Sequence, residues 1–304
     1  METQPKTMRA VRLIALRETI CEEIPIPVPN DGQVLVKMDA APINPSDLVF
    51  MVGKYGFMRD FPTTPGFEGT GTVVENGGGL RGWMLKGNRV SVSVQRDEGT
   101  WAEYCVVNTD KCIKLDKDVT VEQGACAIAN PITCIALLEL VEKGEHKAII
   151  STAACSSLGR MIERHFAVAG IDVINVVRRE GQVDMLKAAN VKYILNSSDE
   201  DFEEKLKEMC KTVKPTCLLD AVAGELCGTI LNAMPKKSVA HIYGMLSMKP
   251  VSGISGGALI FEQKEVHGFH LKFWLKEKSK LGMMWMADNL SEYLRTTLQT
   301  KIAK

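Results

Sequence analysis

The segment Lys147–Arg179 constrains the fold more than any other part of the chain. An apolar run, Ala148-Ile149-Ile150-Ser151-Thr152, enters a turn of small residues, Ala153-Ala154-Cys155-Ser156-Ser157-Leu158-Gly159. Leu158, Met161, Ile162, Phe166 and Ala169 then form one apolar stripe at helical spacing, closed by Gly170. A second apolar run, Asp172-Val173-Ile174-Asn175-Val176-Val177, ends in Arg178-Arg179. Strand, tight turn, helix and strand in this order read as a βαβ unit. The helix N-terminus of such a unit offers unpaired N–H groups and a positive dipole end to a pyrophosphate. An acid after the second strand would suit the ribose 2′-hydroxyl of NAD. Two arginines suit the 2′-phosphate of NADP instead, because a guanidinium grips phosphate through two parallel hydrogen bonds. The turn departs from the three-glycine fingerprint: it keeps only Gly159, with Ala154 and Ser156 near the other two places. Each added Cβ narrows the room for phosphate. From this unit alone, a dinucleotide site and an ordinary βαβ unit with solvated arginines both stay open.

Composition excludes several classes. Lys+Arg 37 against Asp+Glu 37 leaves no net charge, so nothing global points to nucleic acid or an anionic membrane as partner. The best apolar run, Ala125 to Val141, is interrupted by Asn130, Pro131 and Glu139, which argues against a membrane span. Met1 to Lys6 has neither the apolar core of a signal peptide nor an arginine-rich amphipathic pattern. Nine cysteines without a C-x-x-C pair suggest reduced thiols in a cytosol-like compartment, with the mitochondrial matrix also open.

With 304 residues the chain is long enough for two domains, and its rhythm changes along its length. Up to about Leu115 it is β-rich. Met8–Leu16, Gln33–Ala40, Gly69–Glu75, Asn88–Val94 and Trp101–Val107 are strand candidates separated by Pro and Gly clusters. From about Thr120 helix and strand alternate. Ser198-Asp199-Glu200-Asp201 resembles a capping box opening a helix with Phe202, Leu206, Met209 and Val213 on one face. Further strands are expected at Cys217–Val222 and Ser238–Ile242, and a last helix over Met283–Leu298 has Met286, Leu290, Leu294 and Leu298 as its stripe. Alternation of this kind implies a parallel sheet buried on both faces. The expected fold class is α/β: a doubly wound, Rossmann-type domain over 118–268, a β-rich substrate domain over 1–117 and a C-terminal segment, 269–304, returning towards it. Cofactor and substrate would meet in a cleft beyond the carboxyl ends of the parallel strands.

Several segments carry a more specific pattern. Ala41-Pro42-Ile43-Asn44-Pro45-Ser46-Asp47, Gly53-Lys54-Tyr55-Gly56, Pro65-Gly66-Phe67-Glu68-Gly69-Thr70-Gly71, Gly87-Asn88-Arg89-Val90 and Gly99-Thr100-Trp101-Ala102-Glu103-Tyr104 occur in order. Their order and spacing resemble the medium-chain dehydrogenases/reductases, and most of all their zinc-free quinone oxidoreductases and mitochondrial-type trans-2-enoyl thioester reductases. The resemblance covers almost the whole chain and implies a GroES-like first domain. Ile174–Arg179, Asp220-Ala221-Val222-Ala223-Gly224-Glu225 and Tyr243-Gly244 fall where those enzymes bind NADPH. The implied cofactor set is therefore Ala154, Ser156, Ser157, Leu158 and Gly159 in the turn, Arg178 and Arg179, Tyr243 and Gly244, with Asn44 and Thr133 near the nicotinamide. Tyr55 sits where similar reductases keep a tyrosine facing the substrate. A local reading also stands for each of three of these: Tyr55 as a turn aromatic on Phe57, Asn44 as the cap of a short helix at Pro45, Thr133 as buried filler.

Zinc-dependent members of the superfamily take ligands at the places of Asn44 and Phe67 and from four cysteines after Arg89-Val90. Phenylalanine cannot bind metal, an amide oxygen suits zinc poorly, and Ser91 to Glu103 holds no cysteine, so no metal site is expected. His146, His165, His241, His267 and His270 show no ligand spacing. Cys155, at a helix N-terminus without a His partner nearby, is expected to pack or touch phosphate, and the Lys272–Lys280 charge run reads as a solvated face. The chain stops soon after the Met283–Leu298 helix, where similar enzymes continue, so either its substrate domain is trimmed or the sequence is a piece of a longer one. The expected function is NADPH-dependent, zinc-independent hydride transfer to a quinone, an enone or an enoyl thioester. The alternative is a non-catalytic structural or regulatory subunit that keeps the fold. Ala258-Leu259-Ile260-Phe261 followed by Glu265–Phe269 reads as a late edge strand and its continuation, through which similar reductases pair, so a homodimer is expected.

Overall fold

A computed structural model describes residues 6–94 and 98–302, without the side chains of Lys280 and Met284. The leader reading of residues 1–5 therefore lies outside the described residues, as do residues 95–97 of the cysteine-free segment. The chain divides into two compact units, residues 1–131 with 281–304, and residues 132–280.

The first unit is built from β1 (Thr7–Ala15), β2 (Glu18–Pro25), β3 (Gln33–Ala40), α1 (Pro45–Met51), β4 (Glu68–Asn76), α2 (Leu80–Leu85), β5 (Arg89–Ser93), β6 (Tyr104–Asn108), β7 (Cys112–Lys114) and α3 (Val121–Ala125). β1 and β2 pair as an antiparallel ribbon, and the other strands form an antiparallel sheet in the order β6-β3-β4-β5-β7. Its core is a valine-rich cluster of Val34, Val36, Val73, Val90, Val92 and Val107, as expected of β-branched residues on a pleated surface. The strand expected from Trp101 begins only at Tyr104. Trp101 is instead tied into the loops, its indole donating to Pro42 O at 3.0 Å and its backbone N–H to Pro65 O at 3.1 Å.

The chain passes to the second unit within α4 (Ala129–Lys143). There follow β8 (Ala148–Thr152), α5 (Ser157–Val168), β9 (Asp172–Val177), α6 (Glu180–Ala188), β10 (Tyr193–Asn196), α7 (Phe202–Val213), β11 (Cys217–Asp220), α8 (Glu225–Ala233), β12 (Val239–Ile242), α9 (Gly256–Ile260), β13 (Glu265–Gly268) and α10 (Leu271–Glu277). The six strands are parallel in the order β10-β9-β8-β11-β12-β13, the doubly wound arrangement whose order reverses between β8 and β11. All of β8 and β11 and all but the first residue of β9 are buried, which is why they read as unbroken apolar runs. α11 (Lys280–Arg295) belongs to the first unit, where Leu290 and Leu294 pack with Leu115, Val119 and Ala127. Among the described residues no helix is long and apolar enough to cross a membrane.

Three local expectations change. Ser198–Asp201 does not form a capping box: Asp201 takes the N-cap of α7 without a side-chain cap, Ser198 Oγ donates to Arg178 O, and Asp199 and Asp201 both bind Lys205 instead. Ala258, Leu259 and Ile260 are helical, in α9, so only Glu265–Gly268 of the expected edge segment is strand. The lysine run is not uniformly solvated. Lys278 is largely buried, pairs with Glu139 and lies 4.3 Å from the Trp274 ring centre.

Candidate active site

In the first unit the motif residues turn towards one another. Pro45 opens α1 with its φ already helical, and Asn44 takes the N-cap with extended backbone (φ −94°, ψ 155°). Asp47 closes the turn: one carboxylate oxygen accepts from Asn44 N–H at 2.7 Å and the other from Phe67 N–H at 3.1 Å. The Asn44 side-chain amide donates to Glu68 Oε1 at 2.7 Å. Glu68 Oε2 in turn accepts from Ile128 N–H at 3.0 Å and Ala129 N–H at 2.8 Å, the start of α4. Asn44, Asp47 and Glu68 are all buried. Burial pushes the Asp47 carboxyl up to about 6, against the pull of its two backbone donors and of Arg59. It pushes Glu68 further, to about 7, where the neighbouring charge of Asp47 adds to the effect.

An aromatic cluster lies beside these acids. The Tyr55 ring is 4.9 Å from that of Phe67 and 5.3 Å from that of Phe57, and Phe50 meets Phe67 edge-on at 5.5 Å. The Arg59 guanidinium sits 5.0 Å from the Phe50 ring centre and 5.6 Å from that of Phe67. Tyr55 is half-buried, and burial followed by the charge of Asp47 raises its pKa. Its phenol therefore keeps its proton at neutral pH and can donate it or a hydrogen bond. The turn aromatic on Phe57 is thus present, and it leaves Tyr55 partly open.

In the second unit the serines of the small-residue turn are half-exposed. Ser156 caps α5, its Oγ accepting from Gly159 N–H at 3.0 Å, and its own N–H binds Ala153 O at 2.8 Å. The N–H groups of Ser157 and Leu158 have no partner among the described residues, which is what an anion site at a helix N-terminus requires. Ala154 is fully buried and packs with Val177, Val183 and Leu186, so its Cβ fills the core and does not narrow the phosphate space. The one glycine retained is the one that has to be: a Cβ on Gly159 would stand 2.6 Å from Ala154 O and 2.7 Å from Ala153 O. Leu158 and Gly159 are buried while Ser156 and Ser157 are half-exposed.

Arg178 and Arg179 are exposed at the carboxyl end of β9, and neither pairs with a carboxylate among the described residues. The backbone of Arg178 is fixed by Gln182 Oε1, which accepts from its N–H at 3.2 Å, and by Ser198. The Tyr243 hydroxyl is buried and burial raises its pKa, while its backbone N–H is taken by Asp220 O at 2.9 Å. Gly244 is a close-approach glycine, since a Cβ there would meet Ala221 O at 2.6 Å. Thr133 is half-buried on α4. Cys155 donates to Gln182 O at 3.4 Å and burial raises its pKa, the opposite of an activated thiol. His241 and His267 do meet, paired across β12 and β13 with rings stacked 5.7 Å apart. No three or more His, Cys, Asp or Glu side chains are grouped to hold a metal among the described residues. Asp47 and Glu68 lie within the motif segments, where the resemblance gives them no role. The available signal was an acid enclosed by apolar residues, as in Gly66-Phe67-Glu68-Gly69.

The family model for the alcohol dehydrogenase GroES-like domain matches residues 30–117, and the model described as zinc-binding dehydrogenase matches residues 158–289. The mitochondrial enoyl-[acyl-carrier-protein] reductase of Xenopus tropicalis is 31% identical over 260 residues, covering 83% of this chain and 73% of the relative. The crystal structure of a protein assigned as an NADPH:quinone reductase from Mesorhizobium loti is 35% identical with a TM-score of 0.89, covering 95% of this chain and 90% of that one. A mutant enoyl thioester reductase from Candida tropicalis, 20% identical with a TM-score of 0.80 over 98% of this chain and 91% of that one, shares the fold. The chain belongs to the medium-chain dehydrogenase/reductase superfamily, in the branch of the quinone oxidoreductases and enoyl reductases, and is an oxidoreductase of that type.

Proposed function

We propose that the chain is an NADPH-dependent, metal-independent reductase of an electron-poor acceptor: a quinone, an enone or an enoyl thioester. The observation that carries this reading is the pair of unpartnered N–H groups at the capped start of α5 together with two unpaired arginines at the end of β9. The first can receive a pyrophosphate and the second a 2′-phosphate. Bound NADPH would supply the hydride. Tyr55, kept protonated by its surroundings, would donate to the acceptor oxygen on which charge develops. The printed names of the relatives, an enoyl-[acyl-carrier-protein] reductase and an NADPH:quinone reductase, agree with this class of acceptor. Titration of the protein with NADPH and NADH, followed by an NADPH-oxidation screen over quinones, enones and enoyl thioesters, tests it. Equal affinity for the two nucleotides, or binding without turnover of any acceptor, would count against it and favour the non-catalytic alternative.

Zinc is implied by the name of one matching family model, and the side chains at the corresponding places do not fit it. The Asn44 amide is turned to Glu68 as a donor, and Phe67 is an aromatic packed among Phe50, Tyr55 and Phe57. Metal analysis of the purified protein is expected to find no stoichiometric zinc. For assembly, support comes from β13, the terminal strand of the parallel sheet, and from the exposed Ile260 and Phe261 close before it in sequence. Light scattering should give twice 33.4 kDa for a homodimer. None of the nine cysteines is in a disulfide, which suits the cytosol or the mitochondrial matrix.

A further inference from the structure

Asp220, at the end of β11, is fully buried, and no Lys, Arg or His side chain pairs with it among the described residues. Its donors are neutral: the Thr152 hydroxyl at 2.6 Å and Val222 N–H at 2.8 Å on Oδ1, and Ala223 N–H at 3.0 Å on Oδ2. The Thr152 hydroxyl also accepts from Ala221 N–H at 2.8 Å, so the ends of β8 and β11 are laced together by one hydroxyl and one carboxylate. Under that constraint the chain bends left-handed at Ala223 (φ 60°) and Gly224 (φ 72°) before α8. The neighbouring loop rests on the same residues: Tyr243 N–H binds Asp220 O at 2.9 Å, Leu246 N–H binds Ala221 O at 3.0 Å and Ser247 N–H binds Val222 O at 3.0 Å.

A buried carboxylate without a cation is an expensive way to stabilise a fold, since apolar packing would serve as well. Its place suggests another use. It lies at the carboxyl ends of the two strands between which the sheet order reverses, the position where open α/β sheets bind ligands. We propose that the Thr152–Asp220 pair is a positioning device for the dinucleotide, setting the backbone of the loops 221–224 and 243–247 without itself touching the cofactor. This rests on the NADPH reading above.

The test compares wild type with Thr152→Val, which keeps the shape but removes the hydroxyl, and with Thr152→Ser, which restores it. Nucleotide titration by NADPH fluorescence and by NADH gives the affinities, and thermal unfolding gives the stability. Expected are a loss of affinity of about tenfold or more for both nucleotides alike in Thr152→Val, an unchanged NADPH-to-NADH ratio, and recovery in Thr152→Ser. Wild-type affinities in a folded Thr152→Val would overturn the inference while leaving the NADPH reading intact. So would a loss that follows thermal stability and is not recovered by Ser, which marks a merely structural pair. A wild type that binds neither nucleotide would overturn both.

Discussion

The candidate sites of the two units leave different polar groups open. In the first, the motif residues face one another: Asn44, Asp47 and Glu68 satisfy each other and nearby backbone, and the half-buried Tyr55 beside them is the one candidate for chemistry. In the second, the turn before α5 closes its hydrogen bonds at Ser156 and Gly159 and leaves the N–H groups of Ser157 and Leu158 open. On the proposed reading the first unit stakes function on one side chain and stability on titratable groups. The second stakes function on open backbone N–H groups and two exposed arginines. Substitutions in the two should fail differently, binding in one and chemistry or pH behaviour in the other.

The largest effect should come from the exposed arginines, the only charged side chains of the second unit assigned a ligand. Replacing Arg178 and Arg179 together by Ala removes up to two charge-assisted contacts of about 1.5–3 kcal/mol each, so NADPH affinity should fall by a factor on the order of 10² to 10⁴. NADH affinity should barely move. Calorimetric titration with both nucleotides measures the contrast, and parallel losses would show that the arginines serve the fold or a general field.

Tyr55→Phe probes the first unit. It keeps the ring that packs on Phe57 and Phe67 and deletes the hydroxyl. Loss of one donor to a developing oxyanion lowers kcat by about 10²–10³ in comparable cases, while nucleotide affinity and unfolding temperature should stay put. Steady-state kinetics with the best acceptor from the screen decides the matter, and an unchanged kcat would make Tyr55 a packing residue.

Glu68→Gln tests the claim that stability in the first unit is titratable. The folded carboxyl titrates near 7 and an unfolded one near 4.5, so between these values the native state holds a proton that the unfolded state has released. Stability from this group is present in full below 4.5 and is lost as pH rises to 7, by up to about 1.4 kcal/mol per pH unit and about 3 kcal/mol in all. Asp47 adds a similar decline between 3.8 and about 6 in both proteins, so the contrast is cleanest from pH 6 to 7. Unfolding temperatures across that range should drop more steeply for wild type than for Glu68→Gln. Parallel curves would mean that Glu68 is ionised throughout.

What could be read from sequence follows the same divide. The parallel sheet was legible because strands buried on both faces read as apolar runs, and Arg178, Arg179 and the Ser156 turn lie within that one local unit. β2 was not legible, because most of its residues are exposed and its one partner is β1, so no apolar alternation marks it. Nor were the pairs that organise each unit. Asn44 and Glu68 are 24 residues apart, Thr152 and Asp220 are 68 apart, and no local period links them. For Ala154 the apparent decay of the glycine turn is a matter of direction: its methyl group packs in the core with Val177, Val183 and Leu186, which spacing alone cannot tell.

That last point yields the smallest predicted effect. Ala153 adopts φ 51°, a left-handed conformation that costs an alanine about 1–2 kcal/mol and a glycine almost nothing. Ala153→Gly relieves this strain but adds backbone freedom to the unfolded chain worth about 0.5–1 kcal/mol, so the net gain in stability should be about 0–1.5 kcal/mol. Ser156 still caps Gly159, and the open N–H groups of Ser157 and Leu158 keep their places, so NADPH affinity should stay within about twofold of wild type. Gly159→Ala is the control in the same turn. Its Cβ would press on the backbone oxygens of Ala153 and Ala154, which cannot yield as a side chain does, and overpacking of this kind costs about 1–3 kcal/mol and moves the N–H groups. Melting curves and nucleotide titrations on both variants separate the two. If Ala153→Gly bound NADPH about tenfold tighter or more, the wild-type turn would be a compromised phosphate site, and the contrast between an open second unit and a closed first one would no longer hold.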